Sequence, residues 1–278
     1  MESYRLEGQT FVIDDYDRKP AFSSFLPGLA GVKGIPLWTF YTNRGQGMNS
    51  FGIDNKGNAI MEFNSANTAF ENTQVKGFRT FLKIDGEYYE PFFTYEKEAK
   101  RQMRMNKNSF KIIETNEKYG IEVTVNYYVL PNESIGALVR QVSVKNIGDS
   151  AKEVQVIDGL PKIITYGIAN GEFKEMSNLF KSWADIRNLE NKVPYYTLRA
   201  STKDSAEVSD VEGGYYYLTV RDGKLQDVIY DVDTVFGYDL SLMTPVNFID
   251  GSIEGVLSKE QCFANKVPCG FTPFKEVV

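Results

Sequence analysis

The sequence predicts an all-β fold of mainly antiparallel sheets, and three observations lead there. Segments rich in β-branched and aromatic residues recur along the chain, several with two-residue alternation of apolar and polar side chains. Between them stand Asp-Gly pairs and Asn/Gly clusters, which offer the positive-φ positions of tight hairpins and so join neighbouring strands, in place of strand–helix–strand crossovers. Of the 278 residues, 42% are hydrophobic and 14% aromatic, which is enough for a full core and too much for a disordered chain. The length fits one large β domain over 1–278, because no linker divides it.

In chain order, residues 10–13 read as the first strand. Residues 22–36 are apolar but broken by three glycines and two prolines, so an ordered loop anchored by its apolar side chains is expected. Strands follow over 36–41 and 77–84, with a turn at 55–58 and a tight turn at Asp85-Gly86. Strands are also expected over 109–114, 119–130, 135–146 and 153–165, with a turn at 146–149. The alternation is clearest in 121–127 and 138–144, as in half-buried antiparallel strands. Asp222-Gly223 and Asp250-Gly251 mark two more hairpins. One segment departs from this pattern. Over 171–191, Phe173, Met176, Leu179, Phe180, Trp183, Ile186 and Leu189 fall on one stripe of a helix of about five turns. That helix is expected to cover the sheet, or alternatively to show Trp183 to a sugar or a neighbouring domain.

Composition removes several chemistries. The chain has no histidine, which excludes imidazole acid/base catalysis, Ser-His-Asp and Cys-His nucleophiles and His-ligated metals. Two cysteines, Cys262 and Cys269, cannot supply a zinc site and are expected to be reduced, half-buried residues of the last strands. A net charge of −6 argues against nucleic acid. The densest basic stretch (Lys97, Lys100, Arg101, Arg104, Lys107) is interrupted by Glu96 and Glu98 and reads as a solvated face. The polar start and the lack of any apolar run of about 18–20 residues point to the cytoplasm and away from the membrane.

Asp14-Asp15-Tyr16-Asp17 lacks the spacing of a calcium loop and reads as a solvated turn balanced by Arg18 and Lys19. Gly28 to Gly34 lacks the Gly-Lys-Ser/Thr that opens a helix in a phosphate loop. Glu62, Glu87, Glu90, Asp158 and Asp185 are explicable as strand-face or turn residues, and no pair of them stands in a recognisable catalytic setting. The most distinctive stretch is Trp38 to Gly47, where aromatics lead into Asn43, Arg44 and Gln46. These residues could form a sugar-binding lip, or Trp38 could face the core while Arg44 and Gln46 occupy a hairpin turn. Trp38, Asn43, Arg44, Gln46 and Trp183 are therefore the candidates for carbohydrate or domain contact.

At this stretch the sequence resembles a known family. Phe22-Ser23-Ser24-Phe25-Leu26-Pro27-Gly28, Lys33-Gly34-Ile35-Pro36-Leu37-Trp38, Phe40-Tyr41 and Asn43-Arg44-Gly45-Gln46 are similar to the start of the 1,2-β-oligoglucan phosphorylases of glycoside hydrolase family 94. The likeness continues through Ser50-Phe51-Gly52, Ile60-Met61-Glu62-Phe63, Ala66-Asn67 and Gly77-Phe78-Arg79-Thr80-Phe81, and is dense over 20–82. Beyond that it loosens, though Arg140 to Asn146 looks like a strand shared by the sandwich domains of many sugar-processing enzymes.

The resemblance implies an N-terminal β-supersandwich of the galactose-mutarotase-like type, ending near its final strands, with the catalytic (α/α)6 barrel absent from this segment. In that family the general acid lies in the barrel and inorganic phosphate is the nucleophilic co-substrate, so no catalytic residue maps onto this chain and no cofactor or metal is implied. The implied partners are the helical barrel of the same polypeptide, a β-glucan oligosaccharide through the parent enzyme, and a second copy in a homodimer. A stand-alone carbohydrate-binding module is the alternative. A mutarotase is disfavoured because such enzymes use a histidine acid.

Overall fold

A computed structural model of the protein describes residues 3–26, 28–93, 98–176, 178–202 and 206–278. Every pair of strands in its sheets is antiparallel. One sheet has six strands, in the order β1 (Tyr4–Glu7), β2 (Thr10–Asp14), β10 (Lys100–Met105), β11 (Ser109–Asn116), β12 (Ile121–Val129) and β13 (Leu138–Asn146). A five-stranded sheet runs β20 (Ile229–Asp231), β21 (Pro268–Val277), β14 (Glu153–Leu160), β8 (Arg79–Ile84) and β9 (Glu87–Tyr89). Another contains β3 (Ser23–Leu26), β5 (Ile35–Thr42), β6 (Met48–Ile53) and β7 (Ala59–Met61), with β4 (Leu29–Ala30) also on β5. Smaller pieces are β15 (Ala184–Arg187), β16 (Tyr195–Leu198) and β17 (Tyr215–Tyr216), and the hairpin β18 (Val220–Arg221) with β19 (Lys224–Leu225).

Alternation produces the sandwich. In β12, Ile121, Val123, Val125 and Tyr127 are buried while Glu122, Thr124 and Asn126 are half-buried. The buried set joins Met103 and Ile112 from the same sheet, and Leu82, Ile84, Val154 and Val156 from β8 and β14, in the main core. The next residues on β8 and β14, Phe81 and Ile157, face the other way. They pack under α3 (Val232–Phe236), α4 (Val246–Asp250) and α5 (Ile253–Leu257) through Phe236, Phe248 and Val256. β8 is therefore covered on both faces, which is why its residues are all buried. Its hairpin to β9 turns at Asp85 (φ 51°) and Gly86 (φ 89°), as the Asp-Gly pair requires. At Gly159 of β14 the neighbouring strand comes so close that a Cβ would lie 1.9 Å from the Gly270 carbonyl oxygen.

Several expectations are corrected. There is no single helix over 171–191. Helix α2 (Asn170–Met176) is followed, beyond Ser177 outside the described residues, by a 3-10 turn (Leu179–Trp183) and then by β15. The apolar stripe serves two cores, since Phe173 and Phe180 join one cluster and Ile186 the main one. One straight helix cannot face both, and pairing of Ile186 with Tyr196 draws the segment into a sheet. Asp250-Gly251 ends α4 and is not a hairpin. The stretch 22–36 carries β3 and β4 in addition to loop, with Pro27 outside the described residues. A helix that local pattern did not announce, α1 (Ala66–Lys76), lies behind β6, with Thr73 Oγ1 3.0 Å from Thr42 Oγ1.

The charged stretches are not simple solvated faces either. Arg101 is buried, its guanidinium donating to Glu114 at 2.5 Å and Asp17 at 2.6 Å, while Tyr16 is fully buried beside them. Burial pushes the Glu114 carboxyl up, with Arg101 working against that shift. Asp14 instead binds Arg5 and, at 2.7 Å, the Gln102 amide. Lys100 does face solvent, bridging to Glu117, whereas Glu96 and Lys97 lie outside the described residues. Cys269 is buried in β21 and Cys262 is exposed on the loop before it, both as free thiols. No helix among the described residues is long and apolar enough to cross a membrane.

Candidate functional site

A cleft of about 840 Å³ opens between the two main sheets beside β13. Its position follows from topology. β13 is an edge strand, and its inward residues Leu138, Val142 and Val144 are only half-buried because the sheet ends there. Opposite them stand Val154, Val156 and Phe274, and the segment around Tyr216 and Tyr217 forms a lip. The volume lies within the range of small-molecule sites, and the lining is apolar with a few polar groups, as such sites are.

The floor of the cleft carries one polar network. Arg140 occupies the inward face of β13 between Leu138 and Val142, with its side chain only 7% exposed. Its guanidinium donates to Asp158 Oδ1 at 2.6 Å, to Tyr127 OH at 2.6 Å and to Thr80 Oγ1 at 3.0 Å, and Gln46 Oε1 accepts from the same Nη2. It also lies 5.2 Å from the Phe78 ring centre and 5.4 Å from that of Tyr127. Burial opposes the charge on Arg140, but Asp158 and Tyr127 outweigh it and raise its pKa. Tyr217 bridges toward Thr272 at 3.3 Å, and burial pushes its phenol up to about 12. The network offers donors and acceptors already matched to one another.

The five residues singled out by sequence do not assemble. Asn43 is fully buried: its amide donates to the Tyr16 and Pro20 carbonyls at 2.9 and 3.0 Å, and its Oδ1 accepts from the Phe22 N–H at 2.9 Å. It fastens the segment after Tyr16 to the end of β5. Gln46 is buried in the Arg140 network, where Nε2 donates to Thr80 at 3.1 Å. Arg44 is half-buried and donates to the carbonyls of Asn43 and Lys19. Trp38 donates to the Asn55 carbonyl at 3.0 Å and stands edge-on to Phe63, 5.6 Å between ring centres. Trp183 packs on the same small cluster of Phe173 and Phe180, so the two half-buried tryptophans share one satellite core.

Sequence reasoning missed the cleft and its Arg140–Asp158 pair. A signal was present, because Arg140 interrupts the apolar face of Leu138, Val142 and Val144, and a charge at such a position demands a buried partner. The carboxylates grouped earlier as interchangeable now separate. Asp158 and Glu90 pair with the buried Arg140 and Arg79, Glu62 with Lys162, Glu87 with Lys118, and Asp185 with Arg187. Among the described residues no three carboxylates or thiols come together as metal ligands. Compared with models of protein families and with curated proteins, the chain matches none of either.

Proposed function

We propose that this chain is the non-catalytic β-sandwich domain of a glycoside phosphorylase of the family 94 type. In that role it packs against a catalytic helical barrel and shapes the rim of that barrel's substrate cleft, while the parent enzyme phosphorolyses β-glucan oligosaccharides to glucose 1-phosphate. One observation carries the reading. The residues in which the family likeness is densest are occupied in holding the fold: Asn43 ties down a loop, Gln46 and Thr80 brace Arg140, and Arg79 clamps Glu90 at 2.7 Å and the Met243 carbonyl at 2.8 Å. Residues consumed in this way support a scaffold, with the chemistry on another domain. The apolar cleft beside β13 is the surface suited to the neighbouring domain.

The test is phosphorolysis of a β-1,2-gluco-oligosaccharide with inorganic phosphate. The chain alone should release no glucose 1-phosphate, and release should appear when a family 94 barrel is joined to it. Turnover by the chain alone would overturn the proposal, as would failure of the joined protein to exceed the barrel by itself. The size of the cleft and its tyrosine lip favour one other reading, a stand-alone carbohydrate-binding module. Calorimetric titration with the same oligosaccharide should then give saturable binding that Tyr216→Ala removes.

A further inference from the structure

β13 ends its sheet with a row of backbone groups that no other strand meets. Hydrogen bonds at the two ends of the β12–β13 ladder fix which residues form that row: Leu130 N–H donates to the Ala137 carbonyl at 2.9 Å, and Ile147 N–H to the Gly120 carbonyl at 2.9 Å. In an antiparallel pair the bonded positions recur at every second residue, so Val139, Gln141, Ser143 and Lys145 bond to β12. The N–H and C=O groups of Arg140, Val142 and Val144 therefore point away from β12, and no backbone group among the described residues bonds to them. The side chains of these same residues line the cleft.

The floor continues past β13. Val156 of β14 lies opposite Phe274 of β21, but the six-stranded sheet stops at β13, and what lies over β21 is the segment 217–221. Thr219 Oγ1 stands 2.6 Å from Thr272 Oγ1, and the Arg221 guanidinium 4.8 Å from the Phe274 ring centre. The cleft is thus a slot, with β13 on one side, residues 217–221 on the other and an apolar floor. An apolar small molecule would leave the β13 donors and acceptors unmatched, and a helix spends its backbone groups on itself. Pairing with β13 of a second copy would drive that copy's β12 against residues 217–221. A single extended strand meets none of these objections. Charge adds a preference: β13 carries Arg140 and Lys145 and no acidic residue. Asp158 neutralises Arg140, whereas Lys145 is exposed on the outer face and forms no ion pair with Glu122 opposite it.

We infer that the cleft receives one extended peptide segment of a partner chain, which adds to β13 as a further antiparallel strand. Its backbone bonds to Arg140, Val142 and Val144, its alternate apolar residues fill the space above Val156 and Phe274, and a carboxylate on its outer face meets Lys145. Main-chain bonds supply affinity in such strand addition, and the pockets for alternate side chains supply selectivity. The inference rests on the reading of this cleft as a docking surface and needs no catalytic barrel to be present.

The probe is the acetylated and amidated peptide TVEVTVTVT, added to the full chain and followed by NMR-detected amide exchange. In the free chain the amides of Arg140, Val142 and Val144 should exchange near their intrinsic rates, while those of Gln141, Ser143 and Lys145 are protected. Saturable binding is expected at a Kd on the order of 100 µM, with new protection at the outward set. The same peptide N-methylated at each valine keeps its side chains and should not bind. Val142→Pro removes an outward donor at an edge position that tolerates proline and should weaken binding about tenfold, and Lys145→Glu about threefold. Lack of saturable binding up to about 1 mM would overturn the inference. So would binding that leaves the outward amides unprotected, equal affinity for the N-methylated peptide, or outward amides protected in the free chain and released on dilution, the mark of a second copy. Phosphorolysis by a joined barrel does not enter this readout, so failure of either assay leaves the other standing.

Discussion

At the scale of single residues, the molecule depends on arginines taken out of water. Arg79, Arg101 and Arg140 each lie beneath a sheet face, and each is paired to a carboxylate and to further acceptors. Such a pair adds little net stability over apolar packing, but breaking one partner strands the other charge. Arg140→Met should therefore destabilise the fold by roughly 3–5 kcal/mol in urea unfolding, and adding Asp158→Asn should recover part of the loss. A loss below about 1 kcal/mol would mean that Asp158 is hydrated through the cleft. This scale was the hardest to read from sequence. Asn43, Arg44 and Gln46 look like ligand-binding side chains because the groups that bind a sugar are the same groups that bind a backbone. Only the approach of residues 16–22 and of β13 shows which acceptors and donors they meet.

At the scale of elements, strands and hairpins follow local pattern closely, while edges and crossings depend on the whole. The alternating segments 121–127 and 138–144 lie within β12 and β13, with Val123 opposite Val144 and Val125 opposite Val142. Edge strand β1 has its residues largely exposed and is held to its sheet by charge, Glu7 binding Arg104 and Arg5 while Asp14 binds Gln102 and Arg5. Arg104 first and Arg5 second hold Glu7 below its ordinary 4.5. Burial works against the charged Asp14, but Gln102 and Arg5 prevail and hold it below 3.8. Carboxyls depressed in the fold contribute stability above their unfolded pKa and lose it as pH falls through the folded values. Amide protection in β1, relative to the intrinsic exchange rate at each pH, should accordingly fall below about pH 4 before it does in β11 or β12, and protection unchanged at pH 3 would refute this. Where β14 passes β21, the limit is steric. Gly159→Ala sets a Cβ against the Gly270 backbone and should destabilise by about 3 kcal/mol or more, read as a lowered midpoint of thermal unfolding.

At the scale of the whole molecule, burial of tyrosine makes the fold sensitive to alkali. Burial raises Tyr16, Tyr127 and Tyr196 far above 10, and Tyr217 to about 12. The folded state keeps these protons while the unfolded chain gives them up near pH 10, so stability is present below that pH and falls as pH rises past it. Phenolate absorbance from these residues should appear together with loss of near-ultraviolet circular dichroism above pH 10, in one cooperative step. Titration of all 17 tyrosines while the dichroism persists would contradict it.

The sequence by itself determined the class of fold and the chemistries that are closed to the chain. Period-two alternation and turn residues act within a few residues of themselves, and an absent histidine stays absent in any conformation. Tertiary structure alone decided that the stripe over 171–191 breaks into helix, turn and strand, that β13 ends its sheet and opens a cleft, and that Arg140 meets Asp158 and Glu62 meets Lys162. These outcomes join residues up to 100 positions apart. Which partner a buried charge or an apolar stripe finds depends on which sheets stack, and no local propensity encodes that choice.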